Sequence, residues 1–275
     1  MIVNKCRHAK IPILLYHALF EGEANAEKYA IATDTFDQHI NYLSEEGFES
    51  ISFNAFLDGF QPLPGKRYVI ITFDDGNYSD YSIAFHLLKK YGFVATFFVT
   101  VGRIGTRDYL DWDHLKEMID GDMSIQSHSL NHLFLSDLGK DTLRKELTES
   151  KRILEDRLYL PVHFISLPGG FYSRQVLKAA QGAGYKGVAT SGPGLNILGR
   201  DEKEFILFRR SVITRKTRME GFQEIVHAHL LSNAKSHMVY QLKSMAQKVL
   251  GSKGYYMIWS KCFKYERECK KSNAK

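Results

Sequence analysis

The stretch Val69–Gly76, which reads VIITFDDG, joins a short apolar run to two adjacent carboxylates and a glycine. The apolar run is rich in β-branched residues and too short for a helix, which predicts a buried parallel strand. Asp74 and Asp75 then lie at the carboxyl end of that strand, where parallel α/β folds gather their catalytic groups. Since adjacent acids repel each other, we expect a metal ion or an arginine nearby. The alternative is that both aspartates only cap the following helix.

A second stretch, Ser127–His132 (SHSLNH), carries two histidines four residues apart. In a helical turn, His128 and His132 lie on one face and can grip one metal ion. Such a pair alone also arises by chance on surface helices. Together with the aspartates it is far more specific, because two imidazoles, a carboxylate and an open position for water make a catalytic zinc-type site.

At these residues the sequence resembles the polysaccharide deacetylases, also called the NodB-homology or carbohydrate esterase family 4 enzymes. The family's first motif, Thr-Phe-Asp-Asp-Gly, is matched from Thr72 to Gly76, and its second, His-Ser/Thr-x-x-His, is matched from His128 to His132. The resemblance covers about Ile11 to Ile213 and implies the distorted (β/α)7 barrel of NodB type. Independently, predicted strands and helices alternate along the chain, which favours a parallel α/β fold.

The resemblance also implies roles for these residues. Asp74 would be the general base, and Asp75, His128 and His132 would hold one divalent cation that polarises an acetyl carbonyl and activates water. Zinc is the expected metal. Cobalt, nickel, manganese and iron stay open, because mixed histidine and carboxylate ligands accept all of them.

The stretch Ser166–Gly170 (SLPGG) resembles the family's third motif, Arg-x-Pro-x-Gly. Pro168 and Gly169 would then lie at the substrate, and the Gly169 backbone N–H would stabilise the oxyanion. The alternative is a plain turn. Ser166 occupies the first position of this motif, where the family has the arginine that steadies the base. Arg209 or Arg210 could substitute, and otherwise both are ordinary surface arginines.

The family's general acid is the histidine of a Leu-x-x-His motif near the C-terminus, where this chain offers His227 in a poor match. The Leu-x-x-His motif is matched instead near the N-terminus, by Leu14–His17 (LLYH). First and last strands of a barrel are neighbours, so a permuted motif can reach the same place. Some relatives that deacetylate poly-N-acetylglucosamine begin with a similar apolar-Tyr-His stretch. We therefore expect His17, rather than His227, to be the catalytic or supporting histidine, with a structural histidine as the alternative.

The tripeptide Asp111-Trp112-Asp113 resembles an aromatic wall of the family's site. Trp112 is thus expected near the acetyl methyl group or the sugar face, and a core tryptophan is the alternative. Tyr172 is a further candidate for lining the same groove.

Length and composition fit one large domain, with 275 residues, 44% hydrophobic and 25% charged. We expect a catalytic domain over residues 1–218, with a motif core at about 66–213, and a helical, basic extension over 219–275. Aromatic residues interleave with the basic ones in this tail, which suits peripheral contact with an anionic membrane, although a solvated tail is the simpler alternative. The formal net charge of +6 is mild, and nucleic acid is not an expected partner.

The amino-terminal region resembles a signal peptide in pattern. Basic residues precede the apolar stretch Ile11–Phe20, and the small residues Ala24 and Ala26 follow it. Proline, tyrosine and histidine inside the apolar run argue against cleavage. Cysteines number three, an odd count that suits free thiols in a reducing compartment. We therefore expect a cytoplasmic protein, which the tail could attach peripherally to the inner membrane face.

In function, the resemblance implies a metal-dependent hydrolase that acts on carbon–nitrogen bonds in linear amides. It would remove N-acetyl groups from sugars of a polysaccharide, an oligosaccharide or a lipid-linked glycan. Two alternatives remain open. A carbohydrate-binding pseudoenzyme would explain the missing motif arginine and the displaced histidine, and an O-acetyl esterase would use the same metal and water chemistry.

Overall fold

The computed structural model describes residues 10–22, 29–197 and 205–227, together with a few single positions between 242 and 257. The strands in these ranges are β1 (Lys10–Ile11), β2 (Ile13–Tyr16), β3 (Leu19–Phe20), β4 (Ile31–Ala32), β5 (Phe48–Ser50), β6 (Arg67–Asp75), β7 (Thr96–Val99), β8 (Ser124–Ser127), β9 (Phe164–Ser166), β10 (Gly187–Ala189), β11 (Asn196–Ile197), β12 (Ile206–Phe208) and β13 (Ser211–Val212). The helices are α1 (Thr33–Glu45), α2 (His86–Lys90), α3 (Trp112–Asp120), α4 (Lys140–Leu158), α5 (Arg174–Gly182) and α6 (Met219–Val226). Helix α2 continues a π-helical segment, Asp80–Phe85.

The main sheet is parallel and curls into a barrel. Its strand order is β12-β10-β9-β8-β7-β6-β2-β13, with β5 also paired to β6. The edge strands β12 and β13 lie at opposite ends of this order, yet only Arg209 and Arg210 separate them along the chain. The two edges of the sheet must therefore come together at these residues. Counting β12 and β13 as one interrupted strand, the ring has seven positions, which confirms the predicted distorted barrel.

The central strand β6 is buried along almost its whole length. It extends through both aspartates, two residues beyond the apolar run, because Asp74 and Asp75 keep pairing with Phe98 and Val99 of β7. Alternate side chains of a strand point to opposite faces. On β6 this pleat separates two buried clusters and places Asp74 on the same face as Ile70.

The outer cluster lies between the sheet and the helices and includes Val69, Ile71 and Phe73 of β6. The inner cluster fills the barrel and includes Ile70, together with several phenylalanines. Phe53, from the short 3-10 helix Phe53–Phe56, packs edge-on against Phe208 of β12 with ring centroids 4.5 Å apart. An apolar plug therefore closes the barrel interior below the carboxylates.

The predicted domain boundary at residue 218 stays a prediction. Helix α6 begins the expected helical extension, and it packs on the barrel domain, since the Phe222 ring stacks on His39 of α1 at 4.0 Å. Most of the basic, aromatic tail and all three cysteines lie outside the described residues, so the expected membrane contact and cytoplasmic location also stay predictions. Among the residues that are described, no helix combines the length and apolar character needed to cross a membrane.

Candidate active site

Asp74 lies inside the barrel and is held by a buried arginine. The two guanidinium nitrogens of Arg210 donate to its two carboxylate oxygens at 2.7 and 2.8 Å. Ser166 Oγ donates to Asp74 Oδ2 at 2.8 Å and accepts from Arg210 Nη2 at 2.7 Å. Such a forked, charge-assisted pair fixes the plane of the carboxylate. Arg210 therefore occupies the role left open by the serine of the third motif.

Barrel closure explains why this arginine is Arg210 and not Arg209. Arg210 points inward between β12 and β13, where it is fully buried and also donates to Thr190 O at 3.0 Å. The backbone of Arg209 instead bonds to the side chain of Asn196. Burial by itself would raise the pKa of Asp74, but the charge and hydrogen bonds of Arg210 outweigh it and lower that pKa. Asp74 is thus a fixed, ionised carboxylate.

Asp75, His128 and His132 come together as predicted. One ligand atom from each lies within 4.8 Å of the other two. Asp75 Oδ1 is 3.0 Å from His132 Nε2 and 3.6 Å from His128 Nε2. Asp75 has a left-handed backbone, with φ of 84°, which turns its carboxylate to the histidines although Asp74 precedes it in the same strand. The strand end thereby brings both carboxylates to one site.

The stretch after β8 is a loop, so the helical turn predicted for His128–His132 is wrong. Ser129 and His132 both have positive φ, of 68° and 56°, and a right-handed helix cannot contain them. The buried Glu146 of α4 holds this loop, because its Oε2 accepts the backbone N–H groups of Leu130 and Asn131 at 3.0 and 2.9 Å. The two imidazoles converge through this turn and not through helical spacing.

Asp75 and His128 have the protonation states that a cation needs. His128 Nδ1 lies 2.9 Å from the carbonyl oxygen of Ser166, and donating to that oxygen leaves Nε2 free as a ligand. Burial lowers the pKa of His128 to about 4, so the ring is neutral at neutral pH. Burial opposes ionisation of Asp75, but its hydrogen bond with His132 and the nearby imidazoles lower its pKa far below the usual range. A carboxylate and two imidazoles fit a divalent cation of the zinc type.

The structure places His17 at the site and His227 elsewhere. His17 follows β2, stacks on Tyr29 with ring centroids 4.9 Å apart, and lies within electrostatic range of both site carboxylates. Its Nδ1 is buried and has no hydrogen-bond partner within the described ranges. His227, at the end of α6, instead bonds to the Tyr42 hydroxyl at 2.8 Å. The location supports the expectation for His17, whose catalytic role stays a prediction.

Pro168 and Gly169 form a short 3-10 turn directly after β9. Gly169 has φ of 73°, and a Cβ there would come within 2.7 Å of the Phe134 ring, so both conformation and space require glycine. The expected oxyanion role of its N–H stays a prediction. Trp112 packs against the outer cluster and carries the Arg157 guanidinium 4.8 Å above its ring, so its role as a site wall also stays a prediction. The ring of Tyr172 is partly exposed just past the turn.

Sequence reasoning missed two charged residues beside the aspartates. Arg103, in the 3-10 turn Val101–Arg103 after β7, lies 3.2 Å from Asp75 Oδ1. Asp80, in the helical segment after β6, is fully buried with its carboxyl in electrostatic range of Asp75 and Asp74. Neither belongs to a motif quoted above. The only available signal was position, since each follows the carboxyl end of a central strand by a few residues.

Comparisons with known proteins identify relatives of this chain by sequence and by structure. A family model described as polysaccharide deacetylase matches residues 62–188. The protein YxkH of Bacillus subtilis strain 168, named as a polysaccharide deacetylase, is 32% identical over 203 residues, which cover 73% of this chain and 71% of YxkH. A poly-β-1,6-N-acetyl-D-glucosamine N-deacetylase of Staphylococcus aureus strain MSSA476 is 26% identical over 184 residues, which cover 61% of this chain and 63% of that enzyme.

Among solved structures, the Streptococcus pyogenes deacetylase PplD, in complex with acetate, matches with a TM-score of 0.71 and 30% identity, over 80% of this chain and 99% of that one. The chain is therefore similar to polysaccharide deacetylases both in sequence and in overall structure. The chain is an enzyme that belongs to the polysaccharide deacetylase family.

Proposed function

We propose that this enzyme removes N-acetyl groups from N-acetylglucosamine units of a glycan and needs one divalent metal ion to do so. The observation that carries the proposal is the placement of two different carboxylates side by side. Asp74 is locked by Arg210 inside the barrel, while Asp75 joins His128 and His132 at the opening. One carboxylate thus lies outside the proposed ligand set as an oriented, ionised group, and the other belongs to that set.

A divalent cation bound by Asp75, His128 and His132 would supply Lewis acidity to the acetyl carbonyl and to water. Zinc is the proposed ion, because two imidazoles and one carboxylate with an open position form a common catalytic zinc set. Ser166 supports both halves of the site, since its carbonyl oxygen contacts His128 and its hydroxyl contacts Asp74. The chain therefore holds ligand and base in one hydrogen-bonded unit.

Asp74 is the proposed general base. It would take a proton from the attacking water, whose oxygen forms a bond to the acetyl carbon, and the carbon–nitrogen bond then breaks to give acetate and a free amine. Arg210 keeps the carboxylate ionised and oriented before the reaction. The N–H of Gly169 is the proposed backbone donor to the oxyanion.

His17 is the proposed proton donor to the leaving amine. Burial lowers its pKa, so in the free enzyme it is neutral near pH 7 and must gain a proton during the cycle. The proton that Asp74 takes from water would pass to His17 and from there to the leaving amine, which returns Asp74 to its ionised form. The position of His17 within range of both Asp74 and Asp75 favours this passage, because two carboxylates stabilise an imidazolium.

The relatives favour a β-linked N-acetylglucosamine polymer as the substrate. The Staphylococcus aureus relative is named for deacetylating poly-β-1,6-N-acetyl-D-glucosamine. A Bacillus cereus relative, 32% identical over 127 residues, is named a peptidoglycan-N-acetylglucosamine deacetylase. Both names share the N-acetylglucosamine unit and differ in the polymer, so we propose the unit and leave the linkage to experiment.

The test is acetate release by the zinc-loaded enzyme from β-1,6- and β-1,4-linked N-acetylglucosamine oligomers. An O-acetylated xylan is the third substrate, and Asp74→Asn is the control for contaminating activity. Metal-dependent release from either N-acetyl oligomer, absent in the variant, supports the proposal. Release from the O-acetyl substrate alone would make the enzyme an esterase. Bound metal with no release from any of them would favour the pseudoenzyme alternative.

A further inference from the structure

Arg103 competes for the same atom that the cation would use. Its Nη1 lies 3.2 Å from Asp75 Oδ1, the oxygen that also faces His132 Nε2 at 3.0 Å. The Arg103 guanidinium therefore forms an ion pair with Asp75, the carboxylate of the proposed ligand set. The Arg103 side chain is about a third exposed, at 32%, so it can move away without opening the core.

The Tyr109 ring keeps this guanidinium close to the site. Arg103 Cζ lies 5.0 Å from the Tyr109 ring centroid, a cation–π contact that is independent of Asp75. The loop itself is well anchored, because Tyr109 forms a backbone bridge to Asn77, three residues after Asp74. Thr106 Oγ1 also donates to the carbonyl oxygen of Arg103 at 2.6 Å. The arginine is thus held within reach of Asp75 whichever partner the carboxylate has.

We propose that Arg103 is an internal counter-ion of Asp75 that a metal ion must displace, and that it thereby weakens metal binding at this site. The inference rests on the proposed metal site, although it does not require any particular substrate. The Arg103 guanidinium and a metal ion at the same carboxylate oxygen would repel each other. Because the site is partly buried, salt in the solvent screens this repulsion only weakly. In the loaded enzyme the guanidinium turns from Asp75 but stays on Tyr109, beside the opening.

The experiment measures zinc affinity, and not activity, by competition with a chromogenic chelator. We expect Arg103→Gln to bind zinc about tenfold more tightly than the wild-type chain, which corresponds to about 1.4 kcal/mol. Arg107→Gln is the matched control. Arg107 lies in the same loop and loses the same charge, but its side chain is 95% exposed and its nearest acid is Asp108 at 3.7 Å. Its zinc affinity should stay within about twofold of the wild type, because exposed charges are screened.

Tyr109→Leu is the second variant and frees the guanidinium without removing its charge. We expect tighter zinc binding than in the wild type, by less than Arg103→Gln gives. Cobalt titration adds a spectroscopic control, since unchanged visible bands show that the ligands are the same in each variant. Unchanged or weaker zinc binding in Arg103→Gln would overturn the proposal, and so would equal tightening in Arg107→Gln. Neither result bears on acetate release, so the proposed function is tested separately.

Discussion

Asp74 and Asp75 are neighbours in sequence but have opposite surroundings. Asp74 is buried in the barrel, where Arg210 and Ser166 bond to its oxygens. Asp75 is at the opening with a side chain that is 20% exposed, and it faces two imidazoles and the partly exposed Arg103. The pleat of β6 and the positive φ of Asp75 create this difference. Hence one carboxylate has a permanent counter-ion, and the other has one that can be exchanged.

The largest expected effect separates the two carboxylates by function. Asp74→Asn should lower kcat by about 10²–10⁴-fold, because the amide cannot accept the proton of water. Its zinc content should remain near that of the wild type, since Asp74 is outside the ligand set. Asp75→Asn is the matched variant and should lose zinc. Acetate release and elemental analysis on the same samples check both, and loss of zinc in Asp74→Asn instead would reverse the two roles.

The second prediction separates the two arginines by stability. Arg210→Met should lower the free energy of unfolding by about 3–5 kcal/mol, because it leaves a buried carboxylate without its counter-ion. Arg103→Gln should change it by less than about 1 kcal/mol, as expected for a partly exposed pair. Urea unfolding of the metal-free proteins measures both.

A double variant controls for lost packing in Arg210→Met. Adding Asp74→Asn to Arg210→Met removes the unpaired buried charge and should restore part of the lost stability. Equal costs for Arg210→Met and Arg103→Gln would contradict the contrast between a permanent and an exchangeable counter-ion.

The third prediction concerns the hydroxyl that joins Asp74 to Arg210. Ser166→Ala removes one hydrogen bond to each partner and should cost about 1–2 kcal/mol of unfolding free energy. The direct pair between Asp74 and Arg210 remains, so we expect kcat to fall less than in Asp74→Asn. A loss of stability larger than that of Arg210→Met would show that Ser166, and not the arginine, holds the buried carboxylate.

The smallest expected effect comes from Asp80, whose buried carboxyl has no ion pair among the residues that the structure describes. The Asp80 oxygens have no well-formed hydrogen bond within the described part of the chain. Burial, followed by the charge of Asp75, raises the pKa of Asp80 well above the usual value. An unfolded chain releases this proton near pH 4, whereas the folded chain retains it to higher pH. The contribution of Asp80 to stability is therefore full in acid and declines as the pH rises through its folded pKa.

Asp80→Asn should abolish this decline. Relative to the wild type, the metal-free variant should become progressively more stable between about pH 4 and pH 8, with no gain below pH 4. Thermal unfolding across this range checks the sign. If the stability gained by the Asp80→Asn variant instead increased as the pH fell, Asp80 would be ionised in the folded protein, as Asp74 is.

The motif residues could be predicted from the sequence because their chemistry is local. Asp74 and Asp75 end one strand, and His128 and His132 follow another, so parallel order alone brings them to one edge. Their backbone could not be predicted, since the positive φ of Ser129 and His132 depends on Glu146 in α4. The predicted helical turn failed for this reason.

Arg210 and Arg103 show two other limits of the sequence. Choosing Arg210 over Arg209 required knowledge of which residue points inward where β12 and β13 meet, which depends on closure of the whole barrel. Arg103 lies in a loop without regular spacing or a family motif, and its contact with Asp75 depends on the loop path set by Tyr109 and Asn77.

The pair between Asp74 and Arg210 also couples the chemistry to the order in which the chain folds. The two residues are 136 positions apart, and contacts between distant residues form late and slowly. The segment 62–188 that the family model matches contains Asp74 without its counter-ion. A nascent chain that ends before Arg210 therefore faces the cost of desolvating an unpaired carboxylate, which disfavours closing the interior. Burial of Asp74 is thus disfavoured until Arg210 and β13 are present to complete the ring.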